Sequence, residues 1–128
     1  MSNYRVNAQF KEQGVAVETN LNLISFQEDG TYIVYSAAMD MSGYGKTESE
    51  ALESFKIALE EFVRYTMAKK TIFEELARLG WSISGKTKKT AFPPSFETLQ
   101  ERNPHFQQII ESVPHTVIRQ PIRIPQYA

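Results

Sequence analysis

The sequence contains no cysteine. Disulfides, thiolate chemistry and cysteine-ligated zinc are excluded, and a reducing compartment is the simplest setting for such a chain. Carboxylate chemistry is also thinly supplied, because Asp29 and Asp40 are the only aspartates. A metal site of converging carboxylates needs three or four of them, and one hairpin turn plus one loop do not supply that. His105 and His115 lie ten residues apart with no flanking carboxylate at ligand spacing. They do not read as zinc ligands or as a general base. No apolar run is long enough to cross a bilayer. Residues 1–14 are polar rather than a hydrophobic leader, so a cytoplasmic protein is expected. The formal charge of −1 excludes a uniformly basic nucleic-acid binder. What remains is ordinary for one folded domain: 128 residues, of which 41% are apolar, enough to bury a single core.

Residues 1–14 have no clear period and read as a flexible arm or a weak edge strand around Tyr4–Phe10. From Val15 to Gln27 the pattern is a strand, with Val17, Leu21 and Leu23 on one face. A switch of face near Ile24 and Phe26 suggests a bulge or twist there. Glu28-Asp29-Gly30 signals a hairpin turn, and Thr31–Ala37 is the returning strand. Met39–Met41 fits a short third strand or a loop. Ser42–Lys46 reads as a loop in which Gly43 and Gly45 can take positive φ.

Thr47-Glu48-Ser49-Glu50 is a capping-box pattern, in which the threonine hydroxyl accepts from a backbone N–H and Glu50 reaches back. It opens a helix from Glu48 to Lys69. Ala51, Leu52, Phe55, Ala58, Leu59, Phe62, Val63 and Thr66 share one face of it. Thr71–Glu74 repeats the pattern ahead of a shorter helix, Ile72–Leu79, closed by Gly80. Trp81-Ser82-Ile83 is one more short strand, Ser84–Thr90 a polar loop, and Phe92-Pro93-Pro94 a break. Ser95 and Asn103-Pro104 start short helices at Phe96–Arg102 and Pro104–Ser112. Thr116–Pro125 is extended, and Pro121 and Pro125 restrict it to an edge strand or a polyproline-like arm. The expected fold is α+β: an antiparallel sheet of three or four strands with one long helix across a face, then short C-terminal helices and an extended arm. Two units are expected. Residues 1–83 form the α+β domain, and residues 84–128 pack on the same domain or reach a partner subunit in a homodimer or larger assembly.

Gly80-Trp81-Ser82-Ile83-Ser84-Gly85-Lys86-Thr87 matches the phosphate-loop pattern letter by letter. That chemistry needs a strand before the loop and a helix N-terminus after it. Here a helix comes before it and Phe92-Pro93-Pro94 after, so the match is rejected. Lys86, Lys88 and Lys89 make a basic loop, and Arg119 and Arg123 a second basic segment. Both read as solvated surface or as contacts to an acidic partner or to phosphates. The helices after Ser95 do not read as a DNA reader, because Glu97, Glu101 and Glu111 outweigh Arg102 and would be repelled.

The central run resembles the HicB-like antitoxin family over about Ile24 to Trp81. The likeness rests on Asp29-Gly30-Thr31-Tyr32, Gly45-Lys46-Thr47 and Glu50-Ala51, in that order and spacing. Ser42–Gly45 and Leu79–Trp81 are similar to one variant of the pattern. The chain departs from it at Met41-Ser42-Gly43, where typical members carry Pro-Gly-Cys, and no DNA-binding helix-turn-helix or ribbon-helix-helix is legible. The resemblance implies a truncated, catalytically dead RNase-H-like fold with no cofactor. It also implies neutralisation of a small basic toxin, a HicA-like mRNA interferase. Under it, Glu53, Glu60 and Glu61 on the acidic edge of the long helix are the expected partner contacts, together with Arg119 and Arg123. The alternative is a nucleic-acid-binding transcriptional regulator that uses Lys86, Lys88, Lys89 and the C-terminal arm.

Overall fold

The computed structural model describes residues 14–126, so the segment around Tyr4–Phe10 lies outside it. β1 (Val15–Glu28) and β2 (Thr31–Ser36) form a hairpin in which Glu28 stands opposite Thr31. The turn is therefore Asp29-Gly30 alone, with φ of 54° and 79°. Positive φ at both central residues gives the turn whose twist matches paired strands. β3 (Met41–Gly45) returns along β2, and β6 (Thr116–Pro125) pairs with the other side of β1. The sheet is antiparallel, in the order β3-β2-β1-β6.

Most of the expected loop Ser42–Lys46 is strand: Ser42 to Gly45 lie in register with Tyr35 to Tyr32. Gly43 and Gly45 are not at positive φ. They are needed for another reason. A Cβ on Gly43 would drive into Ala51 O and Phe55 N, and one on Gly45 would come within 2.7 Å of Ala51 N. The pair lets the backbone of β3 lie directly against α1 (Glu48–Lys69). The outward edge of β3 is then occupied by that helix. Ser54 Oγ accepts from Tyr44 N–H at 3.2 Å, and Glu50 Oε1 accepts from Lys46 N–H at 2.9 Å. Thr47 completes the expected cap by accepting from Glu50 N–H at 3.1 Å.

α1 buries Ala51, Phe55 and Leu59 in the cluster it shares with the sheet, and Thr66 near its own end. It ends at Lys70, left-handed at φ 60°, with Thr71 N–H reaching Thr66 O at 2.8 Å. This closure corrects the second capping box. Thr71 finishes α1 and sits at φ −114°, ψ 8°, and its side chain makes no capping bond to α2 (Ile72–Arg78). Gly80 does cap α2. It lies at φ 97°, with Gly80 N–H to Ala77 O and Trp81 N–H to Leu76 O, both at 3.0 Å, the 5→2 and 6→1 pair of such a stop. Trp81 is buried and donates its indole N–H to Ala38 O at 2.9 Å.

β4 (Ser82–Ser84) and β5 (Thr90–Phe92) form a hairpin, so Thr90 and Phe92 belong to a strand that was expected to be loop and break. α3 (Phe96–Arg102) and α4 (Pro104–Ser112) start where expected, capped by Ser95 and Asn103. β6 is an edge strand held by ten paired positions to β1 of its own chain. Residues 84–126 thus complete the sheet begun by the first half.

Of the bulge or twist expected near Ile24, the pairing shows no bulge there, and the register shift falls between Val15 and Val17. Ile24 changes face for a different reason. Leu23 and Ile24 are both fully buried, in two separate apolar clusters. Leu23 packs with Val34, Phe55, Leu76 and Ile122 on the α1 side. Ile24 packs with Ala37, Phe106 and Ile109 beneath α4. The sheet is covered on both faces. Phe55→Ala should cost about 3–5 kcal/mol and Gly43→Ala ~1–3 kcal/mol or more by overpacking. Urea denaturation checks both, and a loss below about 1 kcal/mol for Phe55→Ala would remove α1 from the core.

Candidate partner-binding surfaces

Glu53, Glu60 and Glu61 are exposed on the outward side of α1. Among the described residues none of them makes an ion pair. They surround an apolar residue that the sequence reading passed over. Ile57 is 52% exposed. It lies two residues after buried Phe55, hence about 200° around the helix at 3.6 residues per turn. Glu53, Glu60, Glu61 and Arg64 fall within about 60° of it on the same basis, and Tyr65 follows at 61% exposed. The result is an apolar centre inside a mainly acidic rim. Its signal in the sequence was an isoleucine interrupting a polar stripe.

Arg119 and Arg123 do not join that surface. Ile118, Ile122 and Ile124 of β6 belong to the cluster on the α1 side of the sheet, so the alternate residues Arg119 and Arg123 project from the opposite face. Arg123 pairs across the strands with Glu18, Nε to Oε2 at 3.9 Å. The five expected partner residues therefore split into an acidic set on α1 and a basic pair on the far side of the sheet.

Lys86, Lys88 and Lys89 are exposed in the turn of the β4–β5 hairpin. A strand, β5, follows them, so the phosphate-loop pattern has no helix N-terminus on which to act. The base of the turn is held by Gln126, whose Nε2 donates to Lys89 O at 2.7 Å. Lys89 Nζ stands 6.0 Å over the Phe73 ring.

Asp29 and Asp40 occupy left-handed turn positions at opposite ends of β2, roughly 20 Å apart at 3.3 Å per strand residue. Among the described residues no three histidine, aspartate or glutamate side chains gather as a metal-binding group. His115 Nδ1 lies 2.8 Å from Val113 O and closes the end of α4. One polar network ties the layers together. Tyr35 OH donates to Asp40 Oδ1 and accepts from Asn103 Nδ2, both at 3.1 Å. It joins the sheet to the α3–α4 junction. Burial first, and then the Asp40 charge, push the Tyr35 phenol up to about 12.

No protein-family model, curated protein or solved structure matches the chain.

The Tyr35 shift has a signed consequence. A phenol whose folded pKa lies above its unfolded value stabilises the fold below about pH 10 and loses that contribution as pH rises through about 12. Tyrosinate absorbance should show a phenol that titrates near pH 12 and is lost in Tyr35→Phe. An unchanged titration curve in that variant would place the late phenol elsewhere.

Proposed function

We propose that this chain is a HicB-like binding protein that neutralises a small, basic, RNA-cleaving toxin of the HicA-like mRNA interferase type by forming a complex with it. In this reading it acts in the cytoplasm, in a homodimer or larger assembly, and is not an enzyme. The observation that carries the reading is the outward face of α1, with Ile57 at its centre and Glu53, Glu60 and Glu61 around it. An RNA-cleaving partner must carry cationic groups to hold phosphates, and an acidic face is complementary to them. Ile57 supplies the desolvated anchor that an interface needs at its middle, and the carboxylates supply the rim.

The sequence likeness supports the same reading. The residues that carry it do structural work. Asp29-Gly30 makes the hairpin turn, Gly43 and Gly45 let β3 touch α1, and Thr47 with Glu50 starts that helix. They specify how α1 is held on the sheet, and so how its outer face is presented. Arg119 and Arg123 lie on the other side of the sheet and are not part of this contact; a partner that also engaged them would have to wrap around the edge strand β6.

Co-expression with a small basic HicA-like mRNA interferase tests the proposal. The wild-type pair should co-elute on size exclusion and suppress RNA cleavage. Glu60→Lys combined with Glu61→Lys should weaken the complex at least tenfold by reversing two rim charges. Ile57→Arg should abolish it while leaving the thermal midpoint nearly unchanged, because Ile57 is outside the core. Failure of the wild-type pair to associate would overturn the proposal.

A further inference from the structure

We infer that the β4–β5 hairpin is a binding site for single-stranded nucleic acid, separate from the α1 face and independent of the toxin reading. Residues 81–96 contain three lysines and no carboxylate. The structure concentrates those lysines, because the paired positions Ser84 and Thr90 close the hairpin and leave residues 85–89 as its tip. Lys89 leans back over Phe73, so Lys86 and Lys88 are the outward charges. Among the described residues neither makes an ion pair.

The hairpin also carries an aromatic ring where a base can reach it. Ala91 is buried, with Ile83 beside it packing on the core. The alternate residues Ser82, Ser84, Thr90 and Phe92 lie on the hairpin's other face. Phe92 is 60% exposed there, opposite Ser82. A large ring with a small hydroxyl side chain opposite it is left largely exposed to solvent. Cations that hold phosphates next to a ring on which a base stacks are the two elements of sequence-tolerant single-strand binding. Duplex DNA keeps its bases stacked on each other and offers the ring nothing.

The hairpin is rigidly placed for this. Trp81 at its start is buried and hydrogen-bonded to Ala38 O, and its far strand is tied through Lys89 O to Gln126 at the end of β6. Anchoring the base in this way fixes where the tip is presented. The whole-molecule charge of −1 conceals the site, because the carboxylates of α1 cancel the lysines in the sum but stand on another element.

The test is fluorescence anisotropy of labelled oligouridine, oligothymidine and a duplex of equal length, with the full chain and no toxin present. Both single strands should bind at low salt and the duplex more weakly. Lys86→Ala with Lys88→Ala should flatten the dependence of log K on log salt by about 1.4, two single-strand phosphate contacts at ~0.7 each. Phe92→Ala should weaken binding roughly tenfold with the salt slope unchanged, since stacking is not ionic. All three residues are exposed, and matching circular dichroism and thermal midpoints exclude misfolding as the cause. Absence of single-strand binding at low salt, preference for the duplex, or variants that bind as the wild type does would each overturn the inference. Because no toxin is present, these outcomes leave the α1 proposal untouched.

Discussion

The structure depends on the burial of both faces of β1. Leu23 and Ile24 are adjacent in sequence, point to opposite sides of the sheet and are both fully buried. A strand that is apolar on both sides at one point cannot lie at the surface, so the chain must supply two covers. The long helix and α2 form one, through Phe55, Leu59, Ile72 and Leu76. The last two helices form the other, through Phe106 and Ile109, with Phe96 edge-on to Phe106 at 5.3 Å between ring centres. The C-terminal third is therefore a required layer of the domain. β6 adds to the same demand by pairing along the open side of β1.

Covering one face with a helix raises a spacing problem at the edge of the sheet. β3 is short and would otherwise offer unpaired N–H groups to other chains, the usual hazard of an edge strand. Bringing α1 into backbone contact at Gly43 and Gly45 solves the spacing and the edge together, because Ser54 and Glu50 then accept the outward amides of Tyr44 and Lys46. At the other edge the prolines serve instead. Pro121 and Pro125 have no amide to donate, so they are compatible with the ladder only where the strand faces outward. Each edge is thus modified locally by different chemistry, at Tyr44 and Lys46 on one side and at Pro121 and Pro125 on the other.

Much of this was legible in the sequence because the signals are local. The Asp29-Gly30 turn, the Thr47 cap, the eight-residue apolar face of α1, Gly80 and the caps Ser95 and Asn103 each depend on residues within a few positions of one another. What was not legible depends on distant partners. Ile24 looked like a bulge because nothing nearby in sequence reveals that Phe106 and Ile109 will cover it. Gly43 and Gly45 looked like loop residues because a glycine needed for positive φ and a glycine needed for close approach are the same letter. Thr71 had the composition of a helix start, but its backbone was already committed to ending the previous helix. The candidate surfaces divided in the same way. The glutamates were visible as a stripe, whereas Ile57 at its centre needed helix geometry. The separation of Arg119 and Arg123 from them needed the pairing of β6.

The two surfaces also constrain each other. On the proposed reading, the acidic rim on α1 disfavours a polyanion on the helix face. Lys86 and Lys88 likewise disfavour a cationic partner at the hairpin. Opposite charges on one nearly neutral molecule are thus segregated onto separate elements. The strength of their effect is set by ionic strength. Exposed charges more than about 8 Å apart are largely screened at physiological salt. Each surface therefore acts over short range and needs its apolar or aromatic centre, Ile57 on the helix and Phe92 on the hairpin, to hold what the charges attract. Ile57 and Phe92 share their exposure with Tyr44, Tyr65 and Val117, and what distinguishes the two positions is the charge grouped around each.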